Sequence, residues 1–540
     1  MTTDKPKKLL RMIGAFRFWI GSFFVISASP LAVAADSLNA GKNFGFDSVC
    51  DIARSRIMIP YSRKVRDLPC ELVGLDYDSW RYIAYQPQKT IWREADLPYQ
   101  VETAHRGYLF TSRVDLNEVN RGRTKVLPFN PHDFTYRDWL SEYRFPSTLG
   151  HSGWKLLAKF NDERVSAKSS GREVFSREVA SFLGASYFRV LGSRHVYGSS
   201  LRGLAVDCAM THSEEFPAFT QFWLERPTKN SADFRCWALL ESERVVGAYE
   251  FSFRADRETT VDVRAKLFVR GQIGKLGIAP LTSMWMWGGG TPPPAQDPRP
   301  EVHDADGLYV IGTDDSRLWR PLSRPSIPIV NHYAVPGLKA FGLIQRNRDP
   351  HAYADSEAYY HRRPSLLIEP KTPWPAGGVE LLRLPASHEG IDNIGAFYIL
   401  DKPPQDGESL ELEYRIHVCD DEYDIRWHDA DLKESNLERR ARFLTSNIRQ
   451  VKPGLWKVRL LVEDTGTRLE SIAHDDIEEK MVSLWMESGR LQSLEVKRSA
   501  QGVIVDFEVE SKPDRAFELL LRLTDGQRDL TEVWCYRCEP

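Results

Sequence analysis

The sequence predicts an all-β protein: a large antiparallel β-sandwich domain over residues 35–425, then a smaller β-sandwich domain over residues 435–540. Three observations carry the prediction. Short segments rich in β-branched and aromatic residues recur along the chain, each bounded by turn formers. Several of them alternate. In "VDVRAKLFV", Val261, Val263, Ala265, Leu267 and Val269 share one face, the period of a half-buried strand. Long helical periodicity is scarce, so the strands are not joined by crossover helices, which favours antiparallel sheets packed face to face. The 540 residues exceed one ordinary core, and 42% hydrophobic content with 15 Trp, 20 Tyr and 26 Phe describes a well-packed protein.

The first element is an export signal. Lys5, Lys7, Lys8 and Arg11 precede the apolar run "FWIGSFFVIS", and Ala32-Val33-Ala34 offers a small-x-small cleavage site. Residues 1–34 therefore read as a secretory signal peptide, with the mature chain starting at Ala35 in the periplasm. No Arg-Arg pair precedes the apolar run, so Sec-type export is expected over the twin-arginine route. "SREVASFLGA" (176–185) is a short helix candidate. "ASYFRVLG", "RCWALLES", "GAYEFSFRA", "TTVDVRAKLFVR", "GLYVIG", "VELLRL", "GAFYIL" and "LELEYRIHV" read as strands of the first domain. The acidic stretch His417–Asn436 ends that run. Beyond it "GLWKVRLLVED", "VSLWMES", "LQSLEVKRSA", "GVIVDFEVES" and "AFELLLRL" have the strand spacing of a second sandwich.

Charge and motifs exclude several function classes. The 72 basic and 75 acidic residues leave a formal net charge of −3 and give no electrostatic reason to expect nucleic acid. "HDADG" (303–307) begins like a calcium loop, but with Asp304 at position 1 the glycine falls at position 4 and an aspartate at position 12. "HEGID" lacks the second histidine of a zincin, "GQIGKLG" is no phosphate loop, and "GSSLRG" lacks the last glycine of a nucleophile elbow. No metal or other cofactor is expected. The odd count of seven cysteines leaves at least one thiol free, and "CYRC" (535–538) reads as structural.

What survives is carboxylates beside aromatic and arginine-rich segments: Asp304 and Asp306 after a Gly/Pro loop, Glu389 and Asp392 in "PASHEGIDN", with "MWMW" (284–287), "RLWRP" (317–321) and "SEAYYHRRP" (356–364) in the same third of the chain. Glycoside chemistry uses this mixture, two carboxyl groups across the scissile bond and flat rings against the sugar. Trp285 and Trp287, two apart on one strand, are more often core residues than sugar platforms.

"LGASYFRVLG" (183–192), "VYGSSLRGLAVD" (196–207), "EEFPAFTQFWLERP" (214–227), "GKLGIAPLTSMWMWG" (274–288), "RPEVHDADGL" (299–308), "GLIQRNRD" (342–349) and "RRPSLLIEP" (362–370) resemble, in order, segments of the periplasmic glucan biosynthesis proteins of the G/D family. The resemblance implies a galactose mutarotase-like large β-sandwich followed by an immunoglobulin-like β-sandwich. It implies linear β-1,2-glucan as the ligand, a functional link to an inner-membrane glucan synthase, and room for a homodimer. The family's paired acids match Asp304 and Asp392, with Glu389 nearby. An inverting endo-β-1,2-glucanase follows, Asp304 as base and Asp392 as acid, with Trp285, Trp287, Tyr359, Tyr360 and Arg363 as expected substrate contacts. A non-catalytic glucan-binding factor and a β-1,2-glucan transglycosylase are the alternatives. Asp306 has no such match and reads as turn chemistry.

Overall fold

Alternation decides the architecture. Along Thr259–Val269 each odd-numbered residue is buried and each even-numbered one is partly exposed. That strand pairs antiparallel with Val245–Arg254 on one side and Ser409–Cys419 on the other, inside a fourteen-stranded sheet. The computed structural model describes residues 43–62, 68–159, 177–256, 258–422, 425, 439–472 and 477–539. The signal peptide read in 1–34, and residues 423, 424 and 426–436 of the acidic stretch, lie outside the described residues.

A second sheet of ten strands faces the first. Between them lies an aromatic core: the Phe182 ring is 5.0 Å from both Trp154 and Phe188 within its own sheet and 5.1 Å from Phe222 of the facing one. Burying rings of this size supplies much of the drive to pair the sheets, about 1.5–3 kcal/mol for each large apolar side chain. The outer face of the large sheet is also covered. Phe46, Val49, Cys50 and Ala53 fall on one side of the helix Phe46–Ile57 and pack against Trp223, Trp237 and Leu239.

The helix expected over 176–185 is instead a strand, Arg177–Leu183, paired with His151–Ala158 and Tyr187–Val190. Its apolar residues are too few for a helix face to be distinguished from a strand face. The stacking of Phe182 on Trp154 and Phe188 settles the matter in favour of the sheet.

Seven strands build or brace the candidate site: β1 (Leu276–Ser283), β2 (Trp285–Trp287), β3 (Val302–His303), β4 (Gly307–Gly312), β5 (Arg317–Pro321), β6 (Ile394–Leu400) and β7 (Val533–Cys538). β1 is buried at every position and pairs with β6. The pairing slips between Ile278 and Leu281, where Ala279 takes φ 47°. A left-handed alanine costs about 1–2 kcal/mol, and such a bulge re-aims the residues that follow it, here Thr282 and Ser283. β4 and β5 form a hairpin in which Gly307 is required, since a Cβ there would lie 2.4 Å from the Trp319 ring.

The C-terminal region contributes to two sheets. Phe443–Lys452, Leu455–Val462, Gly502–Glu510 and Arg490–Ser499 make a separate four-stranded sheet. Val482–Met486, Phe517–Leu523 and β7 continue the large sheet, because β7 pairs parallel to β5. Their shared core takes Tyr309, Ile311 and Trp319 from β4 and β5 along with Phe443, Phe517 and Trp534. All seven cysteines are free thiols, six of them buried. Cys535 and Cys538 stand three apart on β7 and so face opposite sides of the sheet. No helix among the described residues is long and apolar enough to cross a membrane.

Candidate active site

Asp304 sits between β3 and β4, and the backbone on both sides of it is pinned. Its own N–H donates to the Met284 carbonyl at 2.8 Å, and the Asp306 N–H donates to Ile344 at 2.8 Å. The side chain is 9% exposed. Its nearest cation is Arg363, with Nε 3.5 Å from Oδ1, and that oxygen accepts no hydrogen bond among the described residues. Burial raises the Asp304 pKa above the ordinary carboxylate range. The charge of Asp392 adds to the rise, while Arg363, Arg189 and His303 oppose it. An orphaned oxygen on a buried carboxylate is costly to maintain, and a ligand that supplies a hydroxyl or a water would relieve it.

Asp392 ends the loop that leads into β6 and is exposed. Thr282, redirected by the β1 bulge, donates its hydroxyl to Asp392 Oδ2 at 3.2 Å. The next residue fixes the loop. Asn393 is 1% exposed, accepts the Trp285 N–H at 2.9 Å, and donates to the carbonyls of Trp285 at 2.9 Å and Leu384 at 3.1 Å. One side-chain amide thus ties the Asp392 loop to β2, next to the Met284 carbonyl that holds Asp304. The two aspartates come from distant parts of the chain and are brought within electrostatic reach of each other.

Glu389, in the same loop, accepts from the Tyr360 hydroxyl at 3.0 Å and pairs with Arg299 at 2.8 Å. Arg299 also binds Asp297 and Asp355 and lies over the Trp287 ring, whose Nε1 donates to the Arg299 carbonyl. Among the expected aromatic contacts, Tyr359 is 41% exposed, whereas Tyr360 is 2%, Trp285 3% and Trp287 5% exposed. The Trp285 face stacks on His303, and both indoles are buried in the wall of the site. Arg363 meets Asp304 directly, as described above.

Residues the sequence reading did not single out complete the site: Arg189 and Tyr187 on one short strand, Thr282, Asn393 and Arg299. Arg189 acts on Asp304 and Tyr187 feels the charge of Asp392. Both stand in "ASYFRVLG", but a strand's arginine and tyrosine carry no signal of what they face. Asp306 does more than shape a turn. It accepts the N–H groups of Arg346 and Asn347 and approaches the buried His303 at 3.6 Å. Glu301 takes the same imidazole at 3.2 Å, and the ligand atoms of Glu301, His303 and Asp306 all lie within 4.8 Å of one another. Burial works against a charged His303, but the Glu301 hydrogen bond and the charges of Asp306 and Glu301 outweigh it, and the pKa is raised. The trio therefore has an ion-pair explanation within the protein.

Fold and site together define a β-sandwich protein whose central polar feature is a coupled aspartate pair framed by arginines and tyrosines. The family model of the periplasmic glucan biosynthesis protein MdoG matches residues 44–538. The glucans biosynthesis protein G of Pectobacterium carotovorum subsp. carotovorum (strain PC1) is 32% identical over 519 residues, covering 96% of this chain and 95% of that protein. The chain belongs to the MdoG family of periplasmic glucan biosynthesis proteins.

Proposed function

We propose that this protein acts on the β-1,2-glucan backbone as an inverting endo-β-1,2-glucanase. The observation that carries the reading is the aspartate pair itself: a buried carboxylate with an oxygen that accepts no hydrogen bond among the described residues, its protonation coupled to a second, solvent-reachable carboxylate. In the step, Asp304 takes a proton from a water whose oxygen attacks the anomeric carbon. The C–O bond to the departing sugar breaks on the opposite face, and Asp392 protonates the leaving oxygen, so the β-linkage yields an α-anomer. A base held above the ordinary carboxylate range takes a proton more readily near neutral pH. Bound sugar would exclude water from Asp392, whose carboxylate accepts a hydrogen bond from the Thr282 hydroxyl. Tyr360 and Arg299 fix Glu389 at the rim. Residues 1–34, read as an export signal, fit the periplasmic address of the family.

Incubation with linear β-1,2-glucan, following reducing ends, product size and product anomer, tests this. New reducing ends with α-anomeric products are expected. A β-anomeric product, or chain redistribution without new reducing ends, would replace hydrolysis by inversion with another reaction.

Two further results are expected. Arg363 lowers the Asp304 pKa, so Arg363→Gln should raise it. Because the base must be ionised, the acid limb of the kcat/KM profile should then move to higher pH. An unmoved limb would separate Arg363 from the base. Activity should also survive EDTA, because Glu301, His303 and Asp306 already satisfy one another and the neighbouring backbone. Loss of turnover on chelation, restored by a divalent ion, would contradict this.

A further inference from the structure

The turn that presents Arg363 to Asp304 presents a different surface on its other side. Arg362 points away, its Nε and Nη2 donating to the Arg194 carbonyl at 3.1 and 3.0 Å. There a pocket of about 520 Å³ is lined by four arginines, Arg177, Arg194, Arg348 and Arg362. The one acid among its described lining residues, Asp420, already holds His195 at 2.9 Å. Three of the arginines are anchored by neutral carbonyls. Arg177 donates to Ser193 at 2.6 Å, Arg362 to Arg194, and Arg348 to Asp420 at 3.0 Å and His361 at 3.2 Å. None of these three forms an ion pair among the described residues.

Carbonyls orient guanidinium groups but do not neutralise them, so the pocket concentrates positive charge that an anion would balance. A second observation points the same way. Ser193 lines the pocket at 2% exposure, and its hydroxyl has no hydrogen-bond partner among the described residues; the Nδ1 of His361, also in the lining, has none among them either. Burial, followed by the charges of Arg362 and Arg348, holds the His361 pKa down.

We propose that this pocket binds a phosphate-type oxyanion, either free or carried as a phosphate ester on a sugar of the chain bound at the neighbouring aspartates. Guanidinium forks match phosphate oxygens two at a time, and several converging forks suit a group with three or more acceptor oxygens better than a lone carboxylate. The Ser193 hydroxyl is placed to donate to the same group. Only the ester-bearing source rests on the glucan reading above, since binding of the free anion is measured without it.

Calorimetric titration of the mature protein with inorganic phosphate, with acetate as the carboxylate control, tests the proposal. Phosphate should bind with an affinity that falls as salt rises. Arg177→Gln/Arg194→Gln should weaken it tenfold or more, and Ser193→Ala should weaken it less with the fold intact. Absence of phosphate binding at millimolar concentration, equal binding by the double variant, or equal binding of acetate would overturn the assignment. A second arm separates the two sources. Linear β-1,2-glucan phosphorylated on its primary hydroxyls should bind more tightly than the plain polymer, with the advantage lost in the double variant, if the anion rides on the sugar. Equal binding of the two polymers, with phosphate still titrating, assigns the pocket to a free anion.

Discussion

Replacing either Asp304 or Asp392 by asparagine is expected to remove about 10²–10⁴-fold of turnover on linear β-1,2-glucan while leaving glucan binding in place. The amide preserves shape and much of the hydrogen bonding, so what is lost is the capacity to take or give a proton. The two variants should differ in a way that identifies them. Asp304 is the buried member, with its pKa raised by burial. A carboxyl whose folded pKa lies above its unfolded value binds protons better when folded, so stability falls as pH rises through that interval. At neutral pH the ionised Asp304 works against folding, and Asp304→Asn removes the penalty. Asp304→Asn should therefore be as stable as the parent at pH 7, or more so, despite being inactive. Asp392 is exposed, so its replacement should leave stability nearly unchanged. Single-turnover rates and thermal melts on the same preparations check both halves. Near-parental turnover in either variant would remove that residue from the chemistry.

The largest expected effect on stability lies elsewhere. Arg346→Met should cost about 3–5 kcal/mol, the usual result of breaking a buried charge network by taking one member away. The Arg346 side chain is 1% exposed and its guanidinium sits 3.6 Å above the Trp319 ring. It donates to Glu422 at 2.6 Å, to both oxygens of Glu532 at 2.5 and 2.9 Å, and to the Phe443 carbonyl at 2.9 Å. Glu422 and Glu532 are each 3% exposed. Among the described residues, removing the arginine leaves the Glu532 carboxylate with only the Phe443 N–H and the Glu422 carboxylate with only Arg442 as polar partners. Urea unfolding should show the loss as a lowered midpoint. Arg346→Met/Glu532→Leu, which withdraws one stranded charge, should recover part of it. A single-variant loss below about 1 kcal/mol would show that the network carries little net weight.

How far the sequence could be read follows from what each signal physically encodes. Alternation in Thr259–Val269 is imposed by one buried face, so the strand and its orientation were legible directly. Strands such as Tyr99–His105, His151–Ala158 and Leu338–Ile344 carried no comparable signal. Eight segments before residue 420 and five beyond residue 450 were visible as strands from their β-branched and aromatic content and their turn-forming boundaries. The strand Arg177–Leu183 was not, because Val179, Ala180 and Phe182 satisfy a short helix face equally well. The parallel pairing of β5 with β7 leaves no local pattern, since it depends on a distant partner. The covering helix Phe46–Ile57 does carry an apolar stripe, Phe46, Val49, Cys50 and Ala53, but one too short to stand out beside the strand signals. At the site, Asp304, Asp392 and Glu389 were chosen through resemblance rather than spacing, and the structure brings the two aspartates into electrostatic contact. "MWMW" reads alike whether its rings line a core or a ligand surface, and their enclosure is a tertiary fact. The clamp formed by Asn393 looks in sequence like an ordinary loop asparagine.

The placement of β7 has a temporal consequence. It is the last strand of the chain, yet it lies inside the large sheet, between β5 and Phe517–Leu523, rather than at an edge. As the polypeptide emerges from its N-terminus, β5 presents an unfilled row of peptide groups until the final residues arrive. Such an open row invites pairing with other chains. The protein thus has a built-in interval of vulnerability during biogenesis, ended only when β7 docks, and a chain stopped short of residue 533 would never leave it.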